Sequence, residues 1–179
     1  MKVLIVSVNR EQLNMRAWPL GAACVAASIR QAGHSVKLID LMHSCDTSES
    51  LRKALEGFSP DGIGVSIRNI DSQKMTDPGR FLESAREIVI QLKSLSCAPI
   101  VLGGAGFSIY PKSLLDYLQA DMGIVGEGEK SFVDLIDRME NNVDLNGTPG
   151  LYLAEHGLQG PVSQERNIDS FPLPEPGLI

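Results

Sequence analysis

Ala98-Pro-Ile-Val-Leu-Gly-Gly104 carries an apolar run straight into two glycines, and Asp121-Met-Gly-Ile-Val-Gly-Glu-Gly-Glu129 repeats the device one helix later. Short aliphatic runs bounded by glycine read as buried strands. In an open parallel sheet every strand exit of this kind falls on the carboxyl edge. There, backbone N–H groups can meet the polar tail of a ligand with no Cβ in the way. The two glycine clusters therefore point to a binding edge before any reactive residue is named.

Working outward, the same unit recurs. Residues 2–8 read as a first buried strand, followed by a polar loop and a helix over 19–31; Pro19 suits its first turn and Gly33 the left-handed position just past its end. Ser35-Val-Lys-Leu-Ile-Asp40 alternates like a half-exposed strand, and Leu51, Ala54, Leu55 and Phe58 predict a helix over 50–58. Asp61-Gly-Ile-Gly-Val-Ser-Ile67 is a third strand, and the longest helix is expected over 78–95. Helices over 111–119 and 129–141 follow the two glycine exits. Strands that are continuously apolar and separated by helices are parallel and covered on both faces. The expected fold is α/β, a flavodoxin-like (Rossmann-like) doubly wound five-stranded parallel sheet of order 2-1-3-4-5 over residues 1–145. Gly150-Leu-Tyr-Leu-Ala154 and Pro161-Val-Ser-Gln-Glu165, around His156, predict a β-hairpin extension within 146–167. Three prolines in Phe171-Pro-Leu-Pro-Glu-Pro176 make 168–179 a linker, so the chain is expected to be the amino-terminal part of a longer protein.

The totals narrow the function classes. With 179 residues, 43% hydrophobic and 21% charged, the chain supports one well-packed domain plus a tail and is not a disordered sequence. No apolar run reaches the length of a membrane span, and Met1-Lys-Val-Leu-Ile-Val-Ser-Val8 is too short for a secretory signal, which predicts a cytoplasmic protein. A net charge of -6 without a Lys/Arg cluster argues against nucleic acid as a partner. Cys24, Cys45 and Cys97 offer neither a disulfide framework nor a metal knuckle; Cys24 and Cys97 are expected to pack and Cys45 to be the most exposed. His34, His43 and His156 show no metal-ligand spacing among themselves and are expected to be exposed.

In the order 2-1-3-4-5 the switch point lies between strands 1 and 3, so the loops after strands 1, 3, 4 and 5 should line one crevice. The first loop, beginning at Asn9, is long and polar for a βα connection; it serves binding, or is an insertion with Trp18 as a surface plug. The third offers Ser66, Arg68 and Asn69, a hydroxyl and donors for phosphate or amide groups. Gly103 and Gly104 suit the close approach of a nucleotide-like tail, or else a turn that needs positive φ. Gly126, Glu127, Gly128 and Glu129 open a helix whose amino end favours acidic side chains by a few tenths to about 1 kcal/mol, and they equally suit hydroxyl or amide recognition. GxGxxG after strand 1, Walker A, HExxH and GxSxG are all absent.

Taken in order, Met1-Lys-Val-Leu-Ile-Val6, Pro19-Leu-Gly21, Gly33-His-Ser-Val-Lys-Leu-Ile-Asp40, Asp61-Gly-Ile-Gly-Val-Ser66 and Ile100-Val-Leu-Gly-Gly104 resemble a known family. Tyr110-Pro111, Gly126-Glu-Gly-Glu-Lys-Ser-Phe132 and Ile168-Asp-Ser-Phe-Pro-Leu-Pro174 extend the resemblance to the end of the chain. The family is the cobalamin-binding domain at the amino terminus of cobalamin-dependent radical S-adenosylmethionine enzymes, a group that includes methyltransferases and the anaerobic Mg-protoporphyrin IX monomethyl ester cyclase. The resemblance implies a cobalamin module whose corrin lies over the carboxyl edge while the nucleotide tail passes between the sheet and the last helices. It implies that Gly103 and Gly104 lie beside the tail, that Ser66 offers it a hydroxyl, and that Gly126, Glu127, Gly128 and Glu129 close the site. Asn9, Arg68 and Asn69 are added from loop position.

Two departures sharpen this. Cobalamin domains that ligate cobalt from below carry Asp-x-His-x-x-Gly after strand 1, whereas Asn9-Arg-Glu-Gln-Leu-Asn14 holds no histidine, so no protein histidine ligand to cobalt is expected. The family's CxxxCxxC triad is also absent from these residues, so the chain is expected not to run the radical reaction alone. The function implied is to hold the corrin for methyl transfer or a related radical reaction. The parent, a methyltransferase or cyclase, would also use S-adenosylmethionine and a 4Fe-4S cluster. The implied partners are the carboxyl-terminal radical S-adenosylmethionine domain of that parent and a small-molecule substrate. Two other readings stay open: a degenerate docking domain without cofactor, and a flavodoxin-like binder of a flavin or nucleotide.

Overall fold

The computed structural model describes residues 1–10, 17–71, 81–174 and 177. Five strands, β1 (Lys2–Ser7), β2 (Ser35–Asp40), β3 (Gly62–Ser66), β4 (Ile100–Gly103) and β5 (Met122–Ile124), run parallel in the order 2-1-3-4-5. Between and after them come α1 (Leu20–Gln31), α2 (Thr47–Leu55), α3 (Phe81–Leu95), α4 (Ala105–Ile109), α5 (Pro111–Leu118) and α6 (Gly128–Glu140). Residues 78–80, expected to begin the long helix, lie outside the described residues, as do 11–16 of the first loop and 175, 176, 178 and 179 of the proline-rich end.

The hairpin departs from expectation in two ways. Its strands are β6 (Leu151–Leu153) and β7 (Gly157–Leu158), with His156 in the turn, and they extend the sheet antiparallel beyond β5 to seven strands. Residues 161–165 do not form the return strand. Pro161 has no N–H for a ladder, and the segment instead crosses toward the β5 exit, where Val162 meets Gly126.

Alternation along β1 builds two cores, one on each face of the sheet. Leu4 and Val6 join Ile88, Leu92 and Leu115 on the side of α2, α3 and α5, while Val3 and Ile5 join Ala23, Ala26 and Leu135 on the side of α1 and α6. Each fully buried Leu, Ile or Val contributes roughly 1.5–3 kcal/mol relative to exposure, so the sheet is held from both faces.

Local signals explain where the boundaries fall. Asp46 caps α2, its Oδ1 accepting the Glu49 N–H at 3.0 Å, so this helix begins three residues before the expected 50. The sequence pattern did not predict α4. Its anchor is the fully buried Phe107, whose ring occupies the space a side chain at Gly123 would need: a Cβ there would lie 2.2 Å from the ring.

Two expectations about titratable residues need correction. His34 is not exposed: at 8% exposure it sits beside α6, with Nε2 3.0 Å from Asp137 Oδ1. Its ligand atoms, with those of Asp137 and Glu140, lie within 4.8 Å of one another at the amino edge, and the His34 hydrogen bonds together with the ion pair between the Met1 ammonium and Glu140 account for the grouping. Cys97 is exposed rather than packed, because it lies in the turn before β4. No helix among the described residues is long and apolar enough to cross a membrane.

On the buried seam of α1 and α6, the hydroxyls of Ser28 and Ser131 have no hydrogen-bond partner among the described residues. A buried hydroxyl left unpaired costs about 1–3 kcal/mol, and serine is also a poorer helix former than alanine. Ser131→Ala should therefore raise the melting temperature by about 2–4 °C, read by circular dichroism; a fall would mean that the hydroxyl is engaged.

Candidate functional site

A cavity of about 560 Å³ opens at the carboxyl edge, between the sheet and the α1/α6 pair. Its floor is Ile5, Gly64, Val101 and Ile124 from four adjacent strands, and its helical wall is Val25 of α1 and Phe132 of α6. The mouth is polar. Ser7 and Ser66 are register partners on β1 and β3, Asn9 follows β1, and Arg68 follows β3. Trp18, 48% exposed, stands on the rim.

Of the ten residues expected at the site, Asn9, Ser66, Arg68, Gly103, Gly104, Gly126, Glu127, Gly128 and Glu129 line this one cavity, and Asn69 does not. The switch point explains the convergence: β1 and β3 are neighbours whose connections leave in opposite directions, so their exits cannot cover each other.

The two glycines of the β4 exit have different reasons. Gly104 takes φ 94° and ψ 171°, a region essentially confined to glycine, and a Cβ would lie 2.6 Å from the Ile67 carbonyl oxygen. That same oxygen accepts the Gly106 N–H at 2.9 Å, which turns the chain from β4 into α4. Backbone demand therefore accounts for Gly104. Gly103 is unconstrained: a Cβ would find nothing nearer than the Ile124 carbonyl oxygen at 4.0 Å, so this glycine leaves open space in the cavity.

Ser108 ties the two exits together. Its hydroxyl donates to the Gly104 carbonyl at 3.1 Å and accepts the Gly126 N–H at 3.0 Å. The residue was not anticipated; its one trace in the sequence is a serine four positions after Gly104. Gly126 itself adopts φ 89°, and a Cβ on it would lie 2.5 Å from Val162 Cγ1. At Gly128 a Cβ would meet Val25 Cγ2 at 2.9 Å, so glycine lets the first turn of α6 close on α1.

The two carboxylates also separate. Glu127 accepts the Glu165 N–H at 2.7 Å and so holds the segment after β7 across the β5 exit. Lys130 pairs with Glu165, and its ammonium lies 5.8 Å from the centre of the Phe171 ring. Glu129 is in the first turn of α6, where the helix dipole favours it. Burial, and after it the Glu129 carboxylate, push the half-buried Cys24 thiol up. That leaves Cys24 less ionised than an ordinary thiol, the opposite of an activated nucleophile.

Sequence reasoning missed Ser7, Val25 and Phe132 at this site. A serine ending an otherwise aliphatic strand was the available signal for Ser7; the other two read simply as core. An apolar slot with hydroxyls and backbone at its mouth is a binding geometry, suited to a planar apolar group carrying a polar tail.

The B12 binding domain family matches the chain over residues 6–136. The chain is similar to tryptophan 2-C-methyltransferase of Streptomyces laurentii, 28% identical over 153 residues, which cover 84% of this chain and 26% of that enzyme. It is also similar to an uncharacterized methyltransferase of Pyrococcus horikoshii, 26% identical over 188 residues, covering 100% of this chain and 39% of that one. Among solved structures it resembles the radical S-adenosylmethionine methyltransferase TsrM from Kitasatospora setae with cobalamin and a 4Fe-4S cluster bound. The TM-score is 0.81 at 28% identity, over 98% of this chain and 31% of that one. The chain thus spans between about a quarter and two fifths of the length of these curated relatives. On a match covering most of its length, from the end of β1 into α6, this chain belongs to the B12 binding domain family.

Proposed function

We propose that the chain binds cobalamin as the cofactor-holding part of a radical S-adenosylmethionine enzyme, with the corrin over the carboxyl edge and the nucleotide tail in the slot beneath α1 and α6. The observation that carries this reading is the slot itself. It is apolar in depth, polar at the mouth, and kept open above Gly103, where a Cβ would project into free space. Its volume, about 560 Å³, suits a nucleotide-sized group with the bulky ring left outside.

The residues divide the work. Ser66, Gly103 and Gly104 line the passage of the tail, Arg68 offers a cation to its phosphate, and Asn9 and Asn69 offer amides at the edge. Gly126, Glu127, Gly128 and Glu129 close the far wall. The first loop carries no histidine, so the chain offers no imidazole to cobalt from that position. Cobalamin, when bound, supplies a cobalt centre able to carry a methyl group, while the protein contributes position and electrostatics.

In this reading residues 1–145 are the cofactor domain, 146–167 its hairpin extension and 168–179 the lead toward a radical S-adenosylmethionine domain that brings S-adenosylmethionine and a 4Fe-4S cluster. The greater length of the relatives supports that partner, and their names support methyl transfer to a small molecule.

Hydroxocobalamin mixed with chain 1–179 and desalted should leave a retained corrin spectrum near one equivalent, while flavin mononucleotide should wash away. A folded chain retaining no corrin would overturn the proposal. Gly103→Val should cut cobalamin affinity by at least about tenfold with little change in melting temperature, since it fills space rather than straining backbone. Gly104→Ala should instead destabilise the fold by about 1–3 kcal/mol, read as a lower denaturant midpoint.

A further inference from the structure

Beyond β7 the way the chain is held to the body changes. As far as Pro161 it is fixed by backbone: Gly147 N–H donates to the Gln159 carbonyl at 3.3 Å and Gly150 N–H to the Pro161 carbonyl at 2.9 Å. Over 162–171 that support stops. Among the described residues, the backbone–backbone bonds of this stretch run from Ser170 N–H to the Asn167 carbonyl and from Phe171 N–H to the Ile168 carbonyl, both within the stretch itself. What seats it is the segment 126–130. Val162 Cγ1 closes on Gly126, Glu165 N–H donates to Glu127 Oε2 at 2.7 Å, and the Glu165 carboxylate pairs with Lys130, whose ammonium faces the Phe171 ring. Glu165 is the hub. Its Oε1 accepts the Asn167 N–H at 3.0 Å, and its side chain is only 17% exposed in a stretch whose residues are mostly exposed.

A stretch without ladder bonds to the rest of the fold, held by a few side-chain contacts, opens at far lower cost than the sheet does. Those contacts fall on the far wall of the cavity, which Gly126 and Glu127 line. Gly126 is gripped from two sides, with its N–H on the Ser108 hydroxyl at 3.0 Å and Val162 against its Cα. Lifting the stretch takes away one of the two. A ligand that needs this wall in place binds the seated form better than the lifted one, and by linkage it holds the stretch seated to the same degree.

We propose that residues 162–171 form a strap that seats when the slot is filled, with Glu165 as its clasp and as a positioning residue for the far wall. The inference rests on the proposed occupancy of the slot by the tail of cobalamin. Glu165 does not itself line the cavity; it acts through Glu127 and Lys130. Filling the cavity thereby becomes readable on the outer surface of the protein.

The strap carries its own probe, because Arg166 beside the clasp is exposed and trypsin cuts after it when the strap lifts. In chain 1–179, saturating hydroxocobalamin should slow this cut, followed by mass spectrometry, at least about threefold. Glu165→Lys, which sets like charges against each other at Lys130, should speed the cut at least about threefold and weaken cobalamin binding by at least about threefold. Adding Lys130→Glu restores an opposite-charge pair and should recover most of both, an outcome that simple damage to the fold would not give. An unchanged cut rate in the wild-type chain with cobalamin bound overturns the strap, while cobalamin binding stands. No faster cut or unweakened binding in folded Glu165→Lys, or no recovery in the double variant, overturns the clasp. Failure of the folded wild-type chain to retain cobalamin overturns the strap and the cofactor reading together.

Discussion

One hydroxyl sets the spacing of the carboxyl edge. Ser108 stands between the β4 and β5 exits, donating to the carbonyl of Gly104 and accepting the N–H of Gly126. Each exit is a sharp turn in a conformation reserved for glycine, and neither turn alone says where the other must be. The side chain of Ser108 does, and it is carried on a helix pinned by the buried ring of Phe107. From this bridge follow the open space over Gly103, the start of α6, and the width of the slot between α6 and the sheet. A neutral hydrogen bond of this kind contributes only about 0.5–1.5 kcal/mol, so its importance is geometric rather than energetic.

Much of this was legible in the residues, and the physics says why. Continuous apolar runs separated by helical stripes have one compact solution, so the 2-1-3-4-5 order and the two-faced core followed from β1 to β5. The hairpin was less legible because two-residue strands carry almost no pattern; β7 is only Gly157–Leu158, and the more strand-like 161–165 is used elsewhere. At the site, the glycines were found for a mixed reason. Gly104 and Gly126 are glycine because of backbone conformation, whereas Gly103 is glycine in open space, and sequence alone presents all three alike. Val25 and Phe132 were invisible because lining a slot and filling a core demand the same residue types, and Ser7 left only the trace of a serine ending an aliphatic strand.

The distribution of charge also separates holding a ligand from transforming one. Glu127 is engaged by a backbone N–H, Glu129 serves a helix start and Cys24 is pushed away from ionisation. No activated base or nucleophile emerges from these three. What the edge does supply is shape, two hydroxyls and one exposed arginine at the mouth.

The segment that crosses the β5 exit gives the molecule an unusual economy of chain. Val162 covers Gly126, Glu165 caps the carboxylate of Glu127 with its own N–H, and Phe171 lies beneath Lys130. Residues far along the sequence are thus part of the wall that the middle of the chain begins. The outgoing strap and the cavity wall are one mechanical element, so the direction in which the polypeptide leaves the sheet is keyed to the position of residues 126–130. Anything carried on the far side of that strap is oriented by the same few contacts that shape the cavity, like a door hung on the frame of its own lock.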